Sequence, residues 1–295
     1  MKKTVKTIAV FVSLIGLVSC GGADKTANES AVDSTKTTIV VDSTSESQTS
    51  VLYNMPSPME TFTVLKMAGG SFDKGFLNPS ANISKYTSSF AKSINLGTYS
   101  ADLSFCLLYK QNQDINIYLK NVNQLTSELD IDGNYVQTVA QRVKVNSNNL
   151  DSIVSIVSEA TVNANMYLKE NQRDNTTALI TAGGWLEGLY FITSIANKTQ
   201  KKEIISLVAE QKSIVKNLVK ELEQFQADAE IASLVKEIKV IAYFYETLKP
   251  VQEVVTASAQ PDVVSIGNNT TYELSKEQLK NLLDKVAALR NKLTI

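Results

Sequence analysis

Histidine is absent from the 295 residues, and cysteine occurs only twice, at Cys20 and Cys106. The first absence removes the commonest general base and the commonest transition-metal ligand together. Ser-His-Asp chemistry is excluded on that ground, and a cysteine nucleophile would lack its usual histidine partner. Two distant thiols cannot build a thiolate zinc site. Cys106 lies in the apolar run from Leu103 to Tyr109 and reads as a small buried hydrophobe. Arginine is also scarce: only Arg142, Arg173 and Arg290 are present, which weakens any case for bidentate phosphate recognition. The formal net charge is −1 and no basic stripe stands out, so nothing suggests a nucleic-acid footprint. Glycine-rich phosphate loops are missing. Asp130-x-Asp132-Gly133-Asn134 has some flavour of a calcium loop, but it lacks the following glutamate and the third acidic ligand of an EF-hand. A turn explains the same residues, and no metal or cofactor is expected. An enzyme built on this chain would have to use carboxylates, lysine, tyrosine or a hard metal held by oxygen.

What is present begins with a short basic start (Lys2, Lys3, Lys6) and an apolar run from Ile8 to Val18. That run is too short for a membrane-spanning helix, which needs about 20 residues, and it fits the hydrophobic region of a signal peptide. Leu17-Val18-Ser19-Cys20, followed by Gly21-Gly22, resembles the lipobox of bacterial lipoproteins. The resemblance implies cleavage after residue 19 and lipidation of Cys20. In that family the cysteine carries three acyl chains, and two or more give a firm membrane anchor. Glycine rather than aspartate after the cysteine points, by the familiar Gram-negative sorting rule, to the outer membrane.

Residues 20–55 read as a lipid-anchored disordered tether. The stretch from 21 to about 52 is rich in Ser, Thr, Asp and Lys, and its one apolar cluster is Ile39-Val40-Val41. Such a segment cannot bury enough surface to offset its ordering entropy. As a flexible coil it would hold a domain roughly 30 Å from the bilayer on average. Asp33-Ser34-Thr35 and Asp42-Ser43-Thr44 resemble the short sequons that some Gram-negative bacteria O-glycosylate; a polar linker accounts for them equally well.

From residue 56 to 295 the pattern is that of a single all-α domain, a bundle of about seven to nine helices. Apolar residues recur at helical period over 59–68, 81–112, 114–129, 134–145, 149–170, 175–197, 200–225, 229–256 and 275–293. Asp174 reads as an N-cap and Ser275-x-x-Gln278 as a capping box, while Pro250 should kink or break the helix around it. Gly267-Asn268-Asn269 lies between two β-leaning runs, so one small hairpin near 262–274 is allowed. Two stretches, Tyr99–Tyr109 and Ala178–Ile195, are apolar nearly all round, which places them at the centre of the bundle. Short echoes between 116–121 and 165–170, and between 97–105 and 183–191, hold no common period and read as similar hairpins rather than repeats.

Asp102 and Glu187 are each the only charge inside one of these two apolar stretches. A buried carboxylate must be paired, hydrogen-bonded or neutralised. Two readings stand. In one, Asp102, Glu187, Trp185, Tyr99 and Tyr190 line a polar pocket for a small or cationic ligand. In the other, the carboxylates accept tyrosine, lysine or backbone donors and fix helix register. Gly183-Gly184 inside a helix sacrifices about 1 kcal/mol per glycine relative to alanine, which close approach of a neighbouring helix would justify.

Gly97-Thr-Tyr-Ser-Ala-Asp-Leu103, Tyr118-Leu119-Lys120 and Ala182-Gly-Gly-Trp-Leu-Glu-Gly-Leu-Tyr190 resemble a group of helical envelope lipoproteins of Gram-negative bacteria. The resemblance implies a fold and a location but brings no activity. The expectation is therefore a non-enzymatic lipoprotein that meets the membrane through Cys20 and binds a small molecule or an envelope protein. A structural subunit of an envelope complex is the alternative, and a carboxylate-based enzyme the third.

Overall fold

The computed structural model describes residues 56–131, 133–146, 148–251 and 271–295, and they form an all-α bundle. Nine α-helices lie among the described residues: α1 (Pro58–Met67), α2 (Ser89–Leu108), α3 (Asn112–Glu128), α4 (Gly133–Val145), α5 (Leu150–Glu170), α6 (Asp174–Thr199), α7 (Lys202–Leu222), α8 (Ala229–Glu246) and α9 (Lys276–Thr294). Local chemistry starts several of them. Ser57 with Glu60 and Ser275 with Gln278 close full capping boxes on α1 and α9, and Ser88, Asn149 and Asp228 cap α2, α5 and α8. Lys110, Asp130, Gln172 and Gln200 adopt the left-handed conformation after α2, α3, α5 and α6, and so end those helices without glycine.

The boundaries differ from the periodic pattern at four places. Residues 80–85 form a 3-10 turn ahead of α2 instead of its first turns. Asp174 sits in the first turn of α6, favourable for the helix dipole, while Arg173 takes the N-cap position without a side-chain bond. α8 stops at Glu246, short of Pro250. The small β element pairs Pro250–Val251 antiparallel with Thr271–Tyr272, so only one of its strands falls in 262–274. The Gly267 turn lies outside the described residues, as do the lipobox and tether.

α2 and α6 cross at the centre, enclosed by their neighbours, as their all-round apolar character requires. α6 is long and apolar enough to cross a bilayer, yet it is mostly buried inside the bundle. Glycine decides how closely the two helices meet. A Cβ on Gly183 would overlap the carbonyl oxygen of Ile94, and one on Gly97 would overlap that of Ile180. Below the crossing an aromatic cluster of Phe62, Phe105, Phe191 and Phe72 ties α1 to the same pair. α7 packs on α6 and α8, and its Ile204, Leu207, Val208, Gln211, Val215, Leu218 and Leu222 are all buried. α5 is different: only Ile153, Ile156 and Leu168 of its 21 residues are buried. It spans the α2–α6 pair without filling the space beneath.

Candidate functional site

Two features compete for attention, and they lie apart. The first is a sealed knot of charge. Asp102 of α2 and Glu187 of α6 are both fully buried. Glu187 accepts two hydrogen bonds from Arg290 of α9, at 2.6 Å from Nη2 and 2.7 Å from Nε. The same guanidinium donates to the Phe76 carbonyl at 2.8 Å and lies over the Tyr190 ring, 4.4 Å from its centroid. Asp102 receives only a long hydrogen bond, 3.4 Å, from the Asn78 N–H, and its second oxygen has no donor.

Two carboxylates against one guanidinium would leave a buried negative charge. Burial and the neighbouring Glu187 charge hold the Asp102 carboxyl well above the usual carboxylate range, with Arg290 pulling the other way. Asp102 is then the neutral acid, its proton directed at Glu187, and the knot carries no net charge. Three tyrosines tie the 76–80 segment and the end of α9 around it. Tyr118 donates to the Asn78 carbonyl at 2.8 Å, Tyr99 to that of Pro79 at 3.0 Å, and Tyr86 to that of Thr294 at 3.0 Å. Burial pushes the Tyr99 and Tyr118 hydroxyls up, and the Cys106 thiol as well, so all three stay protonated and inert.

The second feature is a cavity of about 680 Å³ between the α2–α6 pair and α5, with contributions from α1, α3, α4 and α7. Its volume falls within the range of about 300–1,000 Å³ common for small-molecule sites. Leu103, Val122, Val157, Leu168, Ile180 and Ile214 give it an apolar wall. Gly184 and Gly188 form part of the floor on α6, and Gly188 leaves room: an added Cβ would come no closer than 4.0 Å to Phe62. Pro56, Glu60, Thr161 and Val162 on its rim are exposed, so it opens between the start of α1 and the middle of α5. Glu60 is the one charged residue of the lining among the described residues, and its carboxylate is held by the Ser57 N–H at 2.7 Å.

Of the five residues expected to share one pocket, only Trp185 lines this cavity. Its indole donates to Gln211 of α7 at 3.2 Å, which fixes the ring as part of the wall. Asp102, Glu187, Tyr99 and Tyr190 do come together, but around Arg290 and the 76–80 segment rather than around open space. The reason is electrostatic. Arg290 fills the position that a cationic ligand would have taken, and it arrives from 103 residues further along the chain. Scarcity of arginine was the one signal that could have singled it out.

The chemistry open to each feature follows. The knot holds a proton and a charge pair, fully buried at Asp102 and Glu187. The cavity holds no nucleophile–base pair among its described lining residues, and its wall is mostly apolar. No family model, no curated protein and no solved structure matches this chain.

Proposed function

We propose that this chain is a non-enzymatic binding protein of the Gram-negative envelope, anchored at the outer membrane through lipid on Cys20, that takes up an apolar small molecule in the cavity beneath α5. The cavity itself is the observation that carries the reading: about 680 Å³, mostly apolar, with an exposed rim. A structural role needs no such void, because helices that only support one another close-pack. The anchor rests on the lipobox residues, and the tether would let the rim reach the membrane surface. A second reading, a subunit of an envelope complex, draws on Val240 and Tyr243 of α8, which are 47 % and 68 % exposed and one turn apart.

Titration with N-phenyl-1-naphthylamine, a neutral probe that fluoresces in apolar surroundings, tests the binding reading. Saturable binding that is lost in Gly188→Leu, with the thermal transition retained, supports it, because residue 188 is part of the cavity lining. Probe binding that is indifferent to this substitution removes the support. The anchor is tested separately: Cys20→Ala should leave the membrane fraction, and a variant that still partitions fully with membranes sinks it.

A further inference from the structure

The described residues begin at the mouth of the cavity. Pro56 is the first of them, and it is also an exposed part of the rim. Residues 20–55, which join the domain to Cys20, are therefore attached at the mouth.

Two exposed apolar stripes start from the same rim. On α5, Val162 is a rim residue and Met166 lies one turn on along the same face, and the two are 50 % and 49 % exposed. On α1, Glu60 is a rim residue, and Val64 and Met67 follow it on one face, 47 % and 83 % exposed. α1 and α5 are in contact, so the stripes border one opening.

Charge decides what kind of surface these helices fit. α1 carries Glu60 and Lys66, and α5 carries Asp151, Glu159 and Glu170 against Lys169. Neither presents a basic cluster of the kind that holds proteins to anionic lipid. The available force is burial of apolar side chains. Four such side chains would hold a free protein only weakly. A domain already anchored at the bilayer is different, because its tether makes the second contact intramolecular.

Resting on the reading of Cys20 as the anchor, we propose that the face around the cavity mouth docks on the bilayer. Val162 and Met166 of α5 and Val64 and Met67 of α1 enter the interface, and the partner is a lipid surface recognised without regard to its charge. The mouth then faces the membrane, and an apolar ligand passes between bilayer and cavity without crossing water.

Full-length lipidated protein in phosphatidylcholine vesicles provides the test. Cys106 is fully buried and Cys20 would bear lipid, so a nitrobenzoxadiazole label reports from one introduced cysteine. The positions are Met166→Cys, Met67→Cys and, as reference, Ala288→Cys at an exposed site of α9. Spin-labelled phosphatidylcholine should quench the label at 166 and at 67 at least about two-fold more than at 288, since docked side chains enter about 5–10 Å into the interface. The difference should persist in about 1 M salt, where surface charge is screened. Quenching at 166 or 67 no greater than at 288, in protein that floats with the vesicles, overturns the docking and leaves the anchor standing. A difference that salt abolishes overturns it as well. A label at 166 that shifts to the blue yet escapes the lipid quencher gives the face to a second copy of the chain or to another protein, and overturns it too. Protein that fails to float with the vesicles instead removes the anchor, and the docking with it.

Discussion

On one stripe of α6, Gly183 lies against the Ile94 carbonyl of α2 and, a turn later, Glu187 grips Arg290 of α9. On the neighbouring stripe, Gly184, Trp185 and Gly188 look onto the cavity under α5. The same helix and the same residue type thus serve opposite ends. Glycine at 183 removes a side chain so that two backbones can meet, whereas glycine at 188 removes one where there is room to spare. The first stripe holds the bundle together. The second gives up close packing, and a fold rarely leaves an apolar void of this size unless something occupies it.

The contrast is sharpest where atoms have nowhere to go. Gly183→Ala and Gly97→Ala each drive a Cβ into a backbone carbonyl of the partner helix, and a backbone cannot step aside as a side-chain tip can. Each should lose about 4 kcal/mol or more of stability, beyond ordinary overpacking. Urea unfolding measures it, and a loss under 1 kcal/mol would mean that the crossing is looser than described. Glu187→Gln comes next. It strands the Arg290 charge in the interior and should cost about 3–5 kcal/mol. If it proved neutral, the salt bridge would not be holding α9 to the core.

Asp102→Asn tests the same stripe more gently, through pH. The folded protein holds the Asp102 proton well above the usual carboxylate range, while the unfolded chain releases it near pH 4. Between those two values the native state binds more protons than the unfolded state, so stability falls as pH rises, by at most about 1.4 kcal/mol per pH unit for one proton. The contribution is complete below the unfolded pKa and is lost on approach to the folded one. Asparagine keeps an acceptor for the Asn78 N–H and a donor toward Glu187, without a proton to lose. The urea midpoint of the parent protein should therefore decline from pH 5 to pH 9 relative to that of Asp102→Asn. Parallel profiles would show that Asp102 is ionised in the folded state.

The two stripes were not equally legible in the sequence. That Tyr99–Tyr109 and Ala178–Ile195 form the centre follows from apolar residues on every side, and the glycine pair at 183–184 announced a close approach. Asp102 and Glu187 stood out because each is alone on an apolar helix. Their partner did not: Arg290 follows Leu279, Leu282, Val286 and Leu289 on a helix that reads as simply amphipathic, and contacts over 103 residues leave no local trace. Without Arg290 the carboxylates looked like the wall of a pocket. The cavity was invisible for a different reason. α5 carries enough apolar residues, Val154 and Val157 among them, to read as a packed helix. Whether it seats fully on α2 and α6 depends on the turns at either end, not on periodicity.

The smallest effect separates the stripes most cleanly because its sign reverses. Gly188→Ala adds a methyl group whose nearest neighbour is an ordinary 4.0 Å away, and it replaces a glycine inside a 26-residue helix. Removing the glycine's entropic disadvantage should stabilise the protein by about 1 kcal/mol, where the identical change at 183 is ruinous. One methyl group takes up little of about 680 Å³, so probe binding should survive in Gly188→Ala and fail only with the larger leucine. A gain in unfolding free energy with binding intact would mark the second stripe as a surface kept open at the expense of stability. A loss of stability in Gly188→Ala would mean that the floor of the cavity is packed as tightly as the crossing beside it, and the distinction between the two stripes would fall.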